Sequence, residues 1–331
     1  HTLAPSHIYR PRAFNVVVKI LLYHHRGEKE HCVETIPNSC NYLLRNTHLA
    51  KCFSIAKLIK YSYICNYKIA MTTISVIIPL YNKASEVERT LRSVLAQKTQ
   101  PMEIIIVDDG STDRSLEVVR GVESPLIKLF TQTNQGVSAA RNRAIAEAHG
   151  EWVALLDADD RWCEDYLSEQ ISMIERYPDC GAYATAFKVD DGVREVVADT
   201  PQSEGEVDFF EESMHRYVMI PSATLLRREL VLELGGFPEG MRMGEDQYLW
   251  TKVARRGKVA FLPKPLVIYS RAAENRSATI FRPEVSNFSL EDLYDKSASD
   301  ISNEYVARVA LGKALIESSR GGTAQAQRAL V

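Results

Sequence analysis

From Ile74 onward, short runs of β-branched and aliphatic residues alternate with segments of helical period, and few folds accept that alternation. Ile74–Pro79, Ile104–Val107, Ile127–Phe130 and Trp152–Leu156 each read as a buried strand. Between them lie a helix with Val87, Leu91, Val94 and Leu95 on one face and a short one from Ser115 to about Arg120. A third runs from Gly136 to His149 with Val137, Ala140, Ala144, Ile145 and Ala148 inward. Ser85 with Glu88 three residues on predicts a capping box for the first. A helix from about Glu164 to Tyr177 follows the fourth strand. Strands that are apolar throughout need cover on both faces, which predicts an α/β fold with a doubly wound, mostly parallel sheet. Ligands of such sheets sit at the carboxyl ends of the strands. Three polar clusters occupy those ends: Tyr81-Asn82, Asp108-Asp109-Gly110-Ser111 and Asp157-Ala158-Asp159-Asp160.

Beyond about 180 the reading continues with strands at Tyr183–Val189, Ser222–Leu226 and Lys258–Leu262 and helices near 227–234 and 245–256. From Ser289 the signal is helical, a C-terminal tail with Leu290, Leu293, Val306, Val309, Ala310 and Leu315. Irregular loops are expected at about 190–221 and 264–288.

Residues 1–70 differ in kind. They hold ten Lys and Arg against three Asp and Glu, with four of the six Cys and six of the eight His, and the first methionine is Met71. They show no sustained period. We expect them to be disordered or not native to the working protein, with 71–288 as the functional domain, in two parts that meet at about 180, and 289–331 as the helical tail. Phe14 to Tyr23 is broken by Asn15 and Lys19, which argues against a signal peptide. Cys32, Cys40, Cys52 and Cys65 have no metal-site spacing. Only Cys163 and Cys180 remain in the body, a sparse usage that fits a reducing, cytoplasmic setting. A net charge of −3 gives no electrostatic case for nucleic acid. No apolar run reaches the ~18 residues of a spanning helix.

The strand-end acids carry the chemistry. Asp157-x-Asp159 places carboxylates directly after a buried strand, and Mg²⁺ or Mn²⁺ needs only one or two when phosphates and waters complete its shell. The competing role for Asp160 is a cap on the next helix. Asp109 can accept from a nucleobase N–H or a ribose hydroxyl, whereas Asp108 serves a turn at least as well. Gly136 opens a helix with Ser138, Arg141 and Asn142 on its first turns, an arrangement suited to phosphate. Glu245 and Asp246 open another; either they complement the helix dipole or they reach a cleft.

Taken in order, these motifs resemble a family 2 glycosyltransferase of the GT-A fold: Ser75–Asn82, Val107–Ser111, Asn134-x-Gly136 with Ala140-Arg141-Asn142, Leu156–Asp160, Gly235-Gly236-Phe237 and Gly244-Glu245-Asp246. The likeness covers about residues 73–270. It implies that Pro79, Tyr81 and Arg141 line a nucleotide pocket, that Asp109 contacts the base and that Asp157 sits near the ribose. It further implies that Asp159 holds Mg²⁺ or Mn²⁺ on the diphosphate and that Asp246 is the catalytic base. The implied donor is a nucleotide-diphosphate sugar, with a UDP-sugar as first choice. The implied acceptor is a glycan or lipid-linked glycan of the cell surface, reached in the cytoplasm or at the inner face of the membrane through a peripheral contact. One departure stands out: many relatives carry Y-R-x-H where this chain has Tyr269-Ser270-Arg271-Ala272-Ala273, so the resemblance implies no third contact to metal or diphosphate from this segment.

One base and one metal imply a single inverting displacement. A sugar nucleotidyltransferase would need a Gly-rich basic loop after the first strand, and Tyr81-Asn82-Lys83 is not one. No G-x-G-x-x-G or P-loop is present. The remaining alternative is a non-catalytic nucleotide-sugar or glycan-binding module derived from a transferase.

Overall fold

Strand β1, Ile74–Leu80, lies near the centre of a mixed sheet, and its residues alternate between two cores. Ile74, Val76, Ile78 and Leu80 face one and Ile77 the other. The computed structural model describes residues 72–273 and 286–319; the expectation for residues 1–70 lies outside the described residues. β2 (Glu103–Asp108), β3 (Ile127–Thr131) and β4 (Trp152–Leu155) complete a parallel wing in the order β3-β2-β1-β4. The chain winds outward from β1 to β3, then returns to place β4 on the other side of β1. That reversal opens a crevice at the carboxyl ends of β1 and β4.

The sheet continues through β9 (Thr224–Arg227), β6 (Cys180–Asp190) and β10 (Lys258–Ser270) to the two-residue β5 (Arg161–Trp162). β7 (Glu195–Val197) and β8 (Gly205–Val207) pair off this path. β9 runs against both its neighbours, so β6 and β10 recover the direction of the parallel wing. The mostly parallel reading therefore holds for the long strands.

Both faces are covered. Helices α1 (Val87–Leu95), α2 (Ser115–Gly121) and α4 (Tyr166–Arg176) pack one side through Leu91, Val119 and Leu167. The other side takes α3 (Val137–Glu147), α5 (Phe209–Ser213), α6 (Arg228–Glu233) and α7 (Glu245–Arg256) through Ala144, Phe210, Val231 and Trp250. Each such buried aliphatic or aromatic side chain contributes about 1.5–3 kcal/mol. The tail helix α8, Asp300–Ser319, joins this second face: the Tyr305 ring lies 5.4 Å from Phe209 and 5.8 Å from Phe210.

Four local expectations differ. The segment at about 190–221 is not wholly irregular, since β7, β8 and α5 lie within it. The capping box at Ser85 does not form; α1 begins after Glu86 without a side-chain cap. The turn before it is held instead from outside, with Lys83 N–H donating to Ser115 Oγ and Ala84 N–H to Asp113 Oδ2. Residues 264–270 are strand, because β10 passes Pro263 and Pro265 through a register shift between Leu262 and Val267 and then resumes. Asp160 is no helix cap, since α4 starts at Tyr166. It is fully buried and accepts from Ser222 Oγ at 2.5 Å and Ser270 N–H at 2.8 Å.

Candidate active site

The strand-end clusters bind one another before they meet any ligand. Asn82, at φ 51°, follows β1; its N–H donates to Ser111 Oγ at 2.9 Å and its Oδ1 accepts from Thr112 N–H at 2.8 Å. Asp108 closes its own turn by accepting from Ser111 N–H, the turn role that competed with a ligand role. Asp109 is buried and accepts from Gln135 N–H at 2.8 Å, Gly136 N–H at 2.7 Å and Gln132 Nε2 at 2.9 Å. The loop entering α3 is thereby fastened to the end of β2. Gly136 has φ 96°, a conformation that favours glycine at this entry.

The first turns of α3 join the two halves of the molecule. Asn142 donates from Nδ2 to Phe237 O at 2.9 Å and accepts from Phe237 N–H at 2.8 Å, which pins the Gly235-Gly236-Phe237 loop. A Cβ on Gly236 would approach Asn142 Oδ1 to 2.4 Å, and its φ is 71°. Arg141, only 3% exposed, lies with its Cζ 5.1 Å from the centre of the Phe237 ring. It reaches Asp157 Oδ1 at 2.7 Å and Glu245 Oε1 at 3.7 Å. Burial works against its charge, and the carboxylates of Asp157 and Glu245 outweigh burial, so the guanidinium titrates above its ordinary range.

The acids at the head of α7 respond oppositely. Burial, reinforced by the neighbouring Asp246 charge and only partly relieved by Arg141, pushes the Glu245 carboxyl up to about 7. Asp246 is also raised, mainly by burial, although its Oδ1 accepts from Gln247 N–H at 2.9 Å. Asp160 is raised well above its usual range by burial and by the charges of Asp159 and Asp157.

All of the sequence-predicted site residues meet in one cavity of about 540 Å³ at the carboxyl ends of the strands: Pro79, Tyr81 and Asp109; Arg141, Asp157 and Asp159; and Asp246, with Glu245 beside it. A second cavity of the same volume, lined by Phe209, Arg255 and Asp295 among others, includes none of them. The first is chemically the stronger candidate, since it gathers the acids and the buried guanidinium. Among the described residues, no three His, Cys, Asp or Glu side chains converge as a metal cage. A divalent ion held by one or two carboxylates and completed by a diphosphate is the mode this donor set fits.

The cavity also has walls beyond the residues assigned to the site. Lys83 pairs with Asp159 at 2.7 Å. Ser138 Oγ and Arg242 Nε are buried without a hydrogen-bond partner among the described residues. Arg271, in the segment that departs from Y-R-x-H, lines the cavity, as does Glu317 from α8. Lys83 had a signal, being the cation beside Tyr81-Asn82. Glu317 had none, because nothing local to α8 marks its approach to a site built more than 70 residues earlier in the chain.

Comparison with known proteins gives a consistent result. The family described as Glycosyl transferase family 2 matches residues 75–235. An uncharacterized glycosyltransferase of Nostoc sp. is 30% identical over 242 residues, covering 70% of this chain and 74% of that protein. The UDP-Glc:alpha-D-GlcNAc-diphosphoundecaprenol beta-1,3-glucosyltransferase WfaP of Escherichia coli is 29% identical, covering 56% and 72%. An uncharacterized glycosyltransferase of Rickettsia conorii is 30% identical over 59% of this chain, and the match spans about a third (32%) of that longer protein. Among solved structures, S. aureus TarS in complex with UDP-GlcNAc has a TM-score of 0.58 at 24% identity, covering 73% of this chain and 66% of that one. A mannosyltransferase of Pyrobaculum calidifontis in complex with GDP-Man and Mn²⁺ has a TM-score of 0.51 at 22% identity, covering 78% and 73%. At those identities the likeness is one of fold.

Proposed function

This chain belongs to glycosyl transferase family 2, and we propose that it moves a sugar from a nucleotide-diphosphate sugar, with inversion, to the hydroxyl of a cell-surface glycan acceptor. The observation that carries the proposal is the single cavity shared by Asp109, Arg141, Asp157, Asp159 and Asp246, delivered from β2, α3, the segment after β4 and the head of α7. UDP-sugar is the first-choice donor, in keeping with the ligand of TarS. A lipid-linked acceptor is favoured by the diphosphoundecaprenol substrate in the name of WfaP. Work on such an acceptor places the protein in the cytoplasm at the inner face of a membrane. Among the described residues no helix is long and apolar enough to cross one.

Each residue has a role. Asp109 keeps acceptor capacity beyond its loop contacts, since a carboxylate offers about four lone-pair sites, and takes the base N–H. Pro79 and Tyr81 form the wall beside the base, and Arg141 and Asp157 set the ribose side. Asp159 holds Mg²⁺ or Mn²⁺, which when bound neutralises charge on the departing diphosphate. Asp246 takes the acceptor proton as the hydroxyl oxygen bonds to the anomeric carbon and the bond from that carbon to the diphosphate oxygen breaks. A carboxyl raised by burial is a stronger base than a solvated one. Residues 71–180 supply the donor side and 181–288 the acceptor side; residues 1–70 take no part.

The test is a panel of nucleotide-sugars assayed by calorimetry with and without Mn²⁺, followed by product analysis with lipid-diphosphate glycan acceptors. Metal-dependent binding of one donor and an inverted linkage in the product are expected. Binding with neither transfer nor donor hydrolysis would instead identify a non-catalytic module.

A further inference from the structure

Lys83 and Asp159 form an ion pair inside the cavity, with Nζ 2.7 Å from Oδ2 and only 11% and 15% of the two side chains exposed. Both ends are anchored. The Lys83 N–H donates to Ser115 Oγ at 2.7 Å, and the Asp159 carbonyl accepts from Arg89 Nη2 at 3.0 Å. What can move is the four-carbon stem of the lysine, a mobile point charge rather than a planar fork.

Asp159 is the carboxylate assigned to the divalent cation in the function proposed above, and the present inference rests on that assignment. An ammonium and a divalent cation repel each other at a shared carboxylate. A metal arriving alone must displace Lys83 and break a largely buried ion pair, which is costly. A nucleoside diphosphate changes that balance, because its phosphate oxygens can receive the displaced ammonium within the same cavity. We infer that Lys83 is the internal counter-ion of Asp159: it holds the metal position closed until a nucleoside diphosphate accepts its charge, so that metal and donor enter together. The lysine is then a positioning residue for the leaving group.

Thermodynamic coupling of this kind is reciprocal and can be measured without turnover. Electron paramagnetic resonance of free Mn²⁺ reports its binding to the full chain, with and without UDP. In the parent protein UDP should tighten Mn²⁺ binding strongly. In Lys83→Met, Mn²⁺ alone should bind about tenfold more tightly and the enhancement by UDP should shrink about tenfold. Lys83→Arg, which keeps the charge, should retain the parent's coupling. Lys83→Gln reads the same as Lys83→Met should the latter fail to fold, with circular dichroism as the check. If Mn²⁺ alone binds Lys83→Met and Lys83→Gln no better than parent, the counter-ion role is wrong, even where Mn²⁺ binding with UDP is weakened. If the parent binds no Mn²⁺ even with UDP, the metal assignment itself fails and takes this inference with it; that outcome shows in the parent alone.

Discussion

Arg141 Nη2 lies 2.7 Å from Asp157 Oδ1, and this contact ties the helix after β3 to the strand end that carries the D-x-D acids. The guanidinium is almost fully buried and also faces Glu245 from the head of α7 at 3.7 Å. One cation thus sits between the donor-side and acceptor-side acids, and removing it would leave Asp157 and Glu245 as facing like charges.

Arg141→Ala should therefore destabilise the fold by about 3 kcal/mol, the usual cost of leaving buried charge uncompensated. Urea denaturation at pH 8 measures it. Arg141→Lys should recover part of the loss, since it restores charge without the planar fork. A change in Arg141→Ala below about 0.5 kcal/mol, the range of an ordinary surface substitution, would show that the pair contributes little.

Asp159→Ala should abolish Mn²⁺-dependent binding of the nucleotide-sugar while the fold survives, at a stability cost from the Lys83 ammonium that loses its carboxylate. The side chain packs no core; it faces the cavity and Lys83. Titration calorimetry with and without Mn²⁺ gives the answer, and unchanged metal dependence would remove Asp159 from the site. Asp160→Ala should behave differently from a lost cap. This side chain joins Ser222 to Ser270 N–H, so its removal should lower stability by roughly 1–3 kcal/mol through a buried donor left unpaired.

Glu245 predicts a pH dependence of stability. Its folded carboxyl sits near 7 because burial and Asp246 disfavour the charge. The proton it holds stabilises the fold fully below the unfolded value of about 4.3, and that contribution is lost as pH rises through about 7. Glu245→Gln should consequently be more stable than parent at pH 8, by an amount on the order of 1–3 kcal/mol, with the difference closing toward pH 5. Thermal melts across pH 5–8.5 test this. A variant less stable than parent at pH 8 would mean that attraction to Arg141 outweighs desolvation.

Glu103 carries the opposite sign. Burial pushes its carboxyl up, but hydrogen bonds from Lys128, Ser75 and His149 N–H outweigh burial and bring it down to about 2. Stability from this group is present above the unfolded value near 4.3 and lost as pH falls through about 2. Glu103→Gln should cost roughly 1–3 kcal/mol at pH 7, with the gap narrowing as both proteins are taken from pH 4.5 toward pH 2. An equal gap at both ends would show that packing, and not charge, carries the effect.

The parallel wing was legible because each strand is a continuous apolar run and each helix repeats on one face; Ile104–Val107 and Ala140–Ile145 state their burial locally. That Asp109, Asp157 and Asp159 line the cavity was legible because they lie within a few residues of the ends of such runs. What stayed hidden depends on distant chain. Asp160 resembles a cap in sequence, and its real partners lie 62 and 110 residues away. Ser85 resembles an N-cap, but Asp113, just before α2, and Ser115, its first residue, supply the oxygens that hold this turn. An irregular loop was expected from about 264, whereas pairing of β10 with β6 resumes at Val267.

Asp246 is proposed as the base and Glu245 as its neighbour with another task, and the two geometries differ. Glu245 faces the Arg141 guanidinium, so its charge is engaged with the donor-side cation. Asp246 lies one position further into α7, and Oδ1 accepts the N–H of Gln247, which fixes the carboxylate at the helix head. Burial raises its affinity for a proton, as a base that must take one from an alcohol requires. General-base catalysis contributes roughly 10²–10⁴ in rate, so Asp246→Asn should cut turnover by about that factor. Donor binding, read by calorimetry with the nucleotide-sugar and Mn²⁺, should change little, because the base meets the acceptor. A loss confined to turnover is the mark of an interaction made mainly in the transition state. Glu245→Gln should lower turnover less and should weaken donor binding through Arg141. Near-parent turnover in Asp246→Asn beside a dead Glu245→Gln would exchange the two roles, and activity in both would move the catalytic edge away from α7.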